Sequence, residues 1–325
     1  MVRKAKNLPR EESRMFGRKR WIIFSAILVL IIVLGFVFSS VFLQPETRFS
    51  LTAAIIDQLG EEFPNSTFVE SATNILKSRG FNVTYHNETL TVNFFKGLAK
   101  YNYGIIIFRA HSALREDNST VDLFTAEKYD NSKYGWEREN GLLTKGELLY
   151  VPGTYYFAVT PLFIKNLEDR FSKSIVIAMG CWSLKTGCEQ MAMAFIDKGA
   201  KAYVGWTELV LAKDTDHETA KLLDAFLVKN KTLSAAIETT APHTYYGDGK
   251  KITSRMDFYP RSPSVGDLEI SDLIAEAKAS YTTSAFHNLG DIIFALGANA
   301  SLNRRIFIQR NKRSINQDIV PLNND

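Results

Sequence analysis

Two apolar runs in this chain end in residues that can do covalent chemistry. YGIIIFRA, residues 103–110, runs into His111, and SIVIAM, residues 174–179, runs through Gly180 into Cys181. A cysteine attacks carbonyl carbon as the thiolate, and the amine expelled from a peptide bond must leave with a proton. An imidazole within reach can promote the first step and perform the second. The backbone N–H groups of Cys181 and of Ser112, directly after His111, are the candidates for holding the developing oxyanion.

Other residues of these types carry blander readings. Taken alone, a cysteine closing a buried strand is a small core residue; His111 on the preceding core strand tips Cys181 toward catalysis. Cys181 and Cys188 are the two cysteines, too few for a disulfide framework, although the pair could oxidise outside the cytoplasm; otherwise Cys188 simply packs. Asp214, Asp216, His217 and Glu218 look like metal ligands on paper. They also fall in the first turn of an expected helix, where acidic residues serve the dipole and the cap, so no metal is expected. His86 reads as a surface residue beside a sequon, and His243 and His287 receive no role. Trp182 and Trp206 fit either a substrate cleft or the core. No phosphate loop, zinc-ligand spacing or Gly-x-Ser-x-Gly elbow is present, and no cofactor is expected.

The elements that must position His111 and Cys181 alternate between strand and helix. Strands are expected at 52–56, 81–85, 103–110, 174–179 and 201–206. Helices are expected at 66–79 (capped near Asn65), 92–100, 161–171, 189–198, 214–229 and 233–239. Residues 121–160, rich in Tyr, Thr and Gly, contain a hairpin with arms 147–151 and 154–159 around Pro152-Gly153. Strands apolar along their whole length are buried on both faces. The expectation is therefore an α/β three-layer sandwich with a mostly parallel central sheet. Open sheets of this kind bind ligands beyond the carboxyl ends of their strands, where His111 and Cys181 lie.

HSA after one strand, GC after the next, and then CEQMAMAFIDKGAKAYVGWTELV resemble the caspase-fold cysteine peptidases, with gingipain-type, clostripain and CHAT-domain relatives nearest in pattern. The resemblance covers residues 51–240 or so. It implies a caspase-haemoglobinase-like fold and a His-Cys dyad that cleaves peptide bonds after a selected side chain, with His111 as general acid/base and Cys181 as nucleophile. Ser112 stands where the family usually has glycine, and Met179 where clostripain-like members often have an acidic residue. Glu208 matches a position that shapes the family's specificity pocket, where a carboxylate could pair with a substrate Arg or Lys. The alternative from another class is an inactive module of the same fold, kept for surface binding or sensing.

The N-terminal part addresses location. Residues 21–43 hold no charge over 23 positions, long enough to span a bilayer core of about 30 Å as a helix. Eight basic and two acidic residues precede this run, which holds that end in the cytoplasm and places the rest outside. A cleaved signal peptide, with Ser39 and Ser40 near the cut, is the competing reading; its apolar region would be shorter. Asn65, Asn82, Asn87, Asn118, Asn230 and Asn299 each open a sequon, against about three such triplets expected by chance.

The expected organisation is a basic cytoplasmic segment (1–20), a transmembrane helix (21–43), an extracytoplasmic domain (44–303) and a polar basic tail (304–325). The formal charge of +4 conceals this division. Residues 1–43 carry net +6, and the outer domain without the tail carries −5, which argues against a nucleic-acid partner. The expected partners are the lipid bilayer, through 21–43, and a protein or peptide substrate.

Overall fold

Apolar residues dominate four neighbouring strands because two separate cores claim alternate side chains. In the computed structural model, which describes residues 27–33 and 48–279 apart from 89, 149–150 and 248, the first elements are β1 (Thr52–Asp57), α1 (Ser66–Ser78), β2 (Asn82–His86), α2 (Val92–Lys96), a 3-10 turn (Leu98–Tyr101) and β3 (Ile105–Arg109). Then come β4 (Ser112–Leu114), β5 (Val121–Lys128), α3 (Gly135–Glu139), β6 (Leu143–Glu147), β7 (Tyr155–Val159), α4 (Pro161–Lys165) and β8 (Ile175–Ala178). After these follow α5 (Gln190–Asp197), β9 (Ala202–Trp206), α6 (Ala212–Leu223), a π-helical turn (Asp224–Val228) and α7 (Leu233–Ile237). The hairpin β10 (His243–Gly247) and β11 (Lys250–Ser254), β12 (Met256–Tyr259), α8 (Pro263–Gly266) and a helix α9 over 270–279 complete the described chain.

The main sheet has the order β12-β9-β8-β3-β1-β2, parallel except for β12, which runs antiparallel to β9 at one edge. On one face Ala54, Ile56, Ile106, Phe108, Val176 and Ala178 pack with Val92 and Phe95 of α2, Phe163 of α4 and Phe195 of α5. On the other Ala53, Ile55, Ile105, Ile107, Ile175 and Ile177 meet Phe68 and Leu76 of α1, Leu222 of α6, Leu233 of α7 and Leu273 of α9. Each valine, leucine, isoleucine or phenylalanine among them contributes about 1.5–3 kcal/mol on burial, so neither face can exchange these residues for polar ones.

A second sheet, of order β4-β5-β7-β6 and antiparallel, fills most of residues 112–159. The hairpin expected around Pro152-Gly153 belongs to it, with its first arm four residues earlier than expected, at Leu143–Glu147. The expected helix at 92–100 breaks at Gly97 into α2 and the 3-10 turn, and the one from 161 stops at Lys165. There Asn166 caps the helix and turns its side-chain amide back to the Leu162 carbonyl.

The chain divides into two compact units, Met1–Glu46 and Thr47–Asp325, and all the strands named above lie in the second. Of the expected membrane segment, 21–43, only residues 27–33 are described; they are helical and exposed. Among the described residues no helix is long and apolar enough to cross a membrane. The segment 1–20, His287, Asn299 and the tail 304–325 lie outside the described residues.

Candidate functional site

Strands β3 and β8 are adjacent and parallel, paired from Ile105↔Ile175 to Phe108↔Ala178. Continued three residues, that register sets His111 opposite Cys181. The amide of Met179 donates to the Phe108 carbonyl (2.9 Å), and the Ser112 hydroxyl donates to the Cys181 carbonyl (2.6 Å), so the two chain ends stay tied beyond the sheet. Gly180 makes this crossing possible. A Cβ there would meet the Ser112 hydroxyl and lie 2.6 Å from the Ala110 carbonyl oxygen and 2.9 Å from the Ser112 amide nitrogen. Ser112 thus gives the site a tie that a glycine could not, besides the backbone N–H expected of it.

His111 and Cys181 line one cleft of about 1310 Å³, whose walls come from the ends of β1, β3, β8 and β9, from the second sheet and from β10. That exceeds the roughly 300–1,000 Å³ of most small-molecule sites and suits an extended substrate. The His111 backbone amide donates to the Gln58 side chain (2.9 Å). Its ring sits edge-on to Phe63 and Phe124, with centroids 6.3 and 6.0 Å away. Its Nε2 lies 2.9 Å from a carboxylate oxygen of Glu62.

Glu62 is the member of this site that sequence reasoning missed. It sits in the loop after β1, 49 residues before His111, and no spacing rule connects them. Arg109 holds that loop: fully buried, it donates Nη2 to the Phe63 carbonyl (2.6 Å), Nη1 to Asp57 (2.8 Å), and Nε and Nη2 to Asp216 (2.8 and 2.9 Å).

Cys181 donates its thiol to the Val210 carbonyl at 3.4 Å. Burial pushes the thiol pKa up, and backbone hydrogen bonds at Val210 and at Cys181 itself pull it part of the way back. Burial likewise pushes the His111 imidazole below its ordinary value, partly offset by the hydrogen bond and charge of Glu62. Both shifts favour the uncharged form, of the thiol and of the imidazole alike.

The turn after Cys181 is firmly held. Trp182 adopts a left-handed backbone (φ 55°), its amide donates to the Glu208 carbonyl (3.0 Å), and its indole N–H reaches the Glu208 carboxylate (2.9 Å). Lys185 takes the other carboxylate oxygen (2.7 Å). Glu208 therefore grips the nucleophile's turn, with its charge already matched. Trp206 is wholly buried and donates to the Thr215 hydroxyl (2.8 Å).

The acidic cluster disperses in space. Asp214 meets His243 (2.8 Å), Asp216 meets Arg109 and the Asn65 amide, Glu218 meets Lys221, and His217 is exposed. Among the described residues no group of three or more such side chains could hold a metal. Cys181 and Cys188 are both free thiols, Cys188 being buried with its sulfur 3.1 Å from the Asn118 carbonyl. His86 departs from expectation. It is half-buried, its Nε2 is 2.8 Å from the Tyr103 hydroxyl, and it packs on Phe94.

Of the sequon residues, Asn82, Asn87 and Asn118 are exposed. The side-chain amides of Asn65 and Asn230 donate to Asp216 and Glu269, both at 2.8 Å. No family model matches the chain, and no curated protein matches it significantly.

Proposed function

We propose that the protein is a membrane-anchored cysteine endopeptidase of the caspase-like three-layer fold, acting outside the cytoplasm. His111 takes the Cys181 proton as the sulfur attacks the substrate carbonyl. The backbone amides of Cys181 and Ser112 face the oxyanion. The amine leaves with the proton from His111, and water then hydrolyses the thioester, giving its proton to His111. Glu62, hydrogen-bonded at Nε2, orients the ring. The observation that carries this proposal is the β3–β8 pairing, whose register leads an imidazole and a thiol into one cleft. The anchor rests on the uncharged run at 21–43 and the basic residues before it. If the domain is glycosylated, Asn82, Asn87 and Asn118 are the acceptors whose exposure suits it.

One observation favours a second reading, an inactive module of the same fold used for surface binding: the thiol is partly buried, donates to the Val210 carbonyl, and has its pKa pushed up by burial. Labelling of the full-length protein with a peptidyl acyloxymethyl ketone separates the two. The peptidase labels at Cys181, loses all labelling in Cys181→Ala, and slows by about 100-fold or more in His111→Ala. Labelling that survives Cys181→Ala removes the nucleophile, and an inert wild type favours the binding module.

A further inference from the structure

The parallel strands of the main sheet begin at the edge opposite the cleft, and the loops entering them are laced together there. The Gly104 amide donates to the Thr52 carbonyl, the Asn82 amide to Leu51, the Ile175 amide to Gly104 and the Lys201 amide to Ser174, each at 2.8 Å. The entries to β1, β2, β3, β8 and β9 therefore form one continuous face.

That face is basic. Arg48 precedes β1, Lys77 and Arg79 precede β2, Lys100 precedes β3, Arg170 precedes β8 and Lys201 precedes β9. All are exposed or half-buried, and none forms an ion pair among the described residues. The carboxylates on the same loops are Glu168 and Asp169, both exposed, and Asp197, which Lys165 already matches at 3.2 Å. Tyr101, 47% exposed, stands next to Lys100. At the cleft edge the exposed charges without an ion pair have the opposite sign: Glu61 after β1, Glu88 after β2, and Glu116 and Asp117 after β4, against Lys213 and Arg255. The domain is polarised along its strands, with the basic end away from the cleft.

The sequence supplies an occupant for the basic end. Arg48 follows the uncharged run, which ends at residue 43, by five residues, at most about 18 Å of extended chain. With that run in a bilayer, the entry to β1 stays close to the headgroups. We propose that the basic edge lies against the anionic phosphate headgroups of the bilayer that holds residues 21–43, so that the cleft opens away from the membrane. This rests on the anchor of the proposed function and not on the His-Cys dyad. Lys and Arg side chains pair with headgroup phosphates, and an exposed tyrosine among them suits the same depth. The chain rises about 20 Å from Ile105 to His111, so cleavage takes place about that far above the headgroups, out of reach of a substrate's juxtamembrane segment.

The test reconstitutes the full-length protein into vesicles of phosphatidylcholine alone, or of equal parts phosphatidylcholine and phosphatidylglycerol. Lysines are reductively methylated with formaldehyde, an uncharged reagent, and read by mass spectrometry. Methylation of Lys77, Lys100 and Lys201, measured against Lys213 at the cleft edge, should fall about fivefold in the anionic vesicles, the attraction of one basic side chain to such a surface. The protection should vanish in about 1 M salt, where charges are screened beyond about 3 Å. It should vanish equally in the double variant Arg48→Glu, Arg170→Glu, which leaves the reporting lysines in place. Equal methylation in both lipids, with the chain retained through carbonate extraction, overturns the proposal. Protection that survives both salt and the double variant overturns it too, because these charges would not be its source. Release of the chain by carbonate removes the anchor itself, and this proposal with it.

Discussion

His111 and Cys181 were legible because each closes a mostly apolar run, and a side chain beyond a parallel strand's carboxyl end has few places to go. Their protonation states were not, because these depend on burial and on Glu62, which arrives from another loop. The raised thiol pKa has a kinetic consequence. A smaller fraction of Cys181 is thiolate at neutral pH than of a free cysteine, so iodoacetamide should label the substrate-free protein more slowly than a model thiol. Its rate should keep rising with pH beyond the ordinary thiol range near about 8.5. A rate that levels off at or below that range would mean a thiolate–imidazolium pair already present at rest. Glu208 teaches the same lesson in reverse. Its position after β9 could be read from sequence, whereas its partners Trp182 and Lys185 could not, and these turn a candidate substrate carboxylate into a clamp on the Cys181 turn.

Among elements, α1 was readable at both ends, with Asn65 accepting the Phe68 amide at its start and Gly80 (φ 88°) just beyond its end. The second sheet was largely hidden. Its strands are half-polar, β5 loses register with β7 between Phe124 and Lys128, and that pairing skips over α3 and β6. Equally hidden was the joint among β1, β3 and α6, where Asp57, Arg109 and Asp216 meet inside the protein. Replacing one partner strands the others without solvent, so Arg109→Met should cost about 3–5 kcal/mol in chemical denaturation. Lys96→Ala, which removes an exposed ion pair with Glu137, should cost under about 1 kcal/mol. Equal costs for the two would show that the buried cluster does not hold the loop after β1.

For the whole molecule, the proposed topology rests on the charge distribution, net +6 before residue 44 and negative over residues 44–303. The full chain should accordingly remain with membranes through alkaline carbonate extraction, whereas a chain lacking residues 1–43 should be released. Release of the full chain would remove the anchor. The pairing of Ile105 with Ile175 also orders events during synthesis, since the entire second sheet is made between those two strands. A growing chain carries its imidazole long before its thiol and holds no reactive pair until β8 docks. The four intervening strands, folding locally as an antiparallel unit, shorten the loop that this docking must close. A substitution in that sheet's core, at Phe157 for example, lies in neither strand that leads to His111 and Cys181, yet it should slow the docking of β8 that brings the two together.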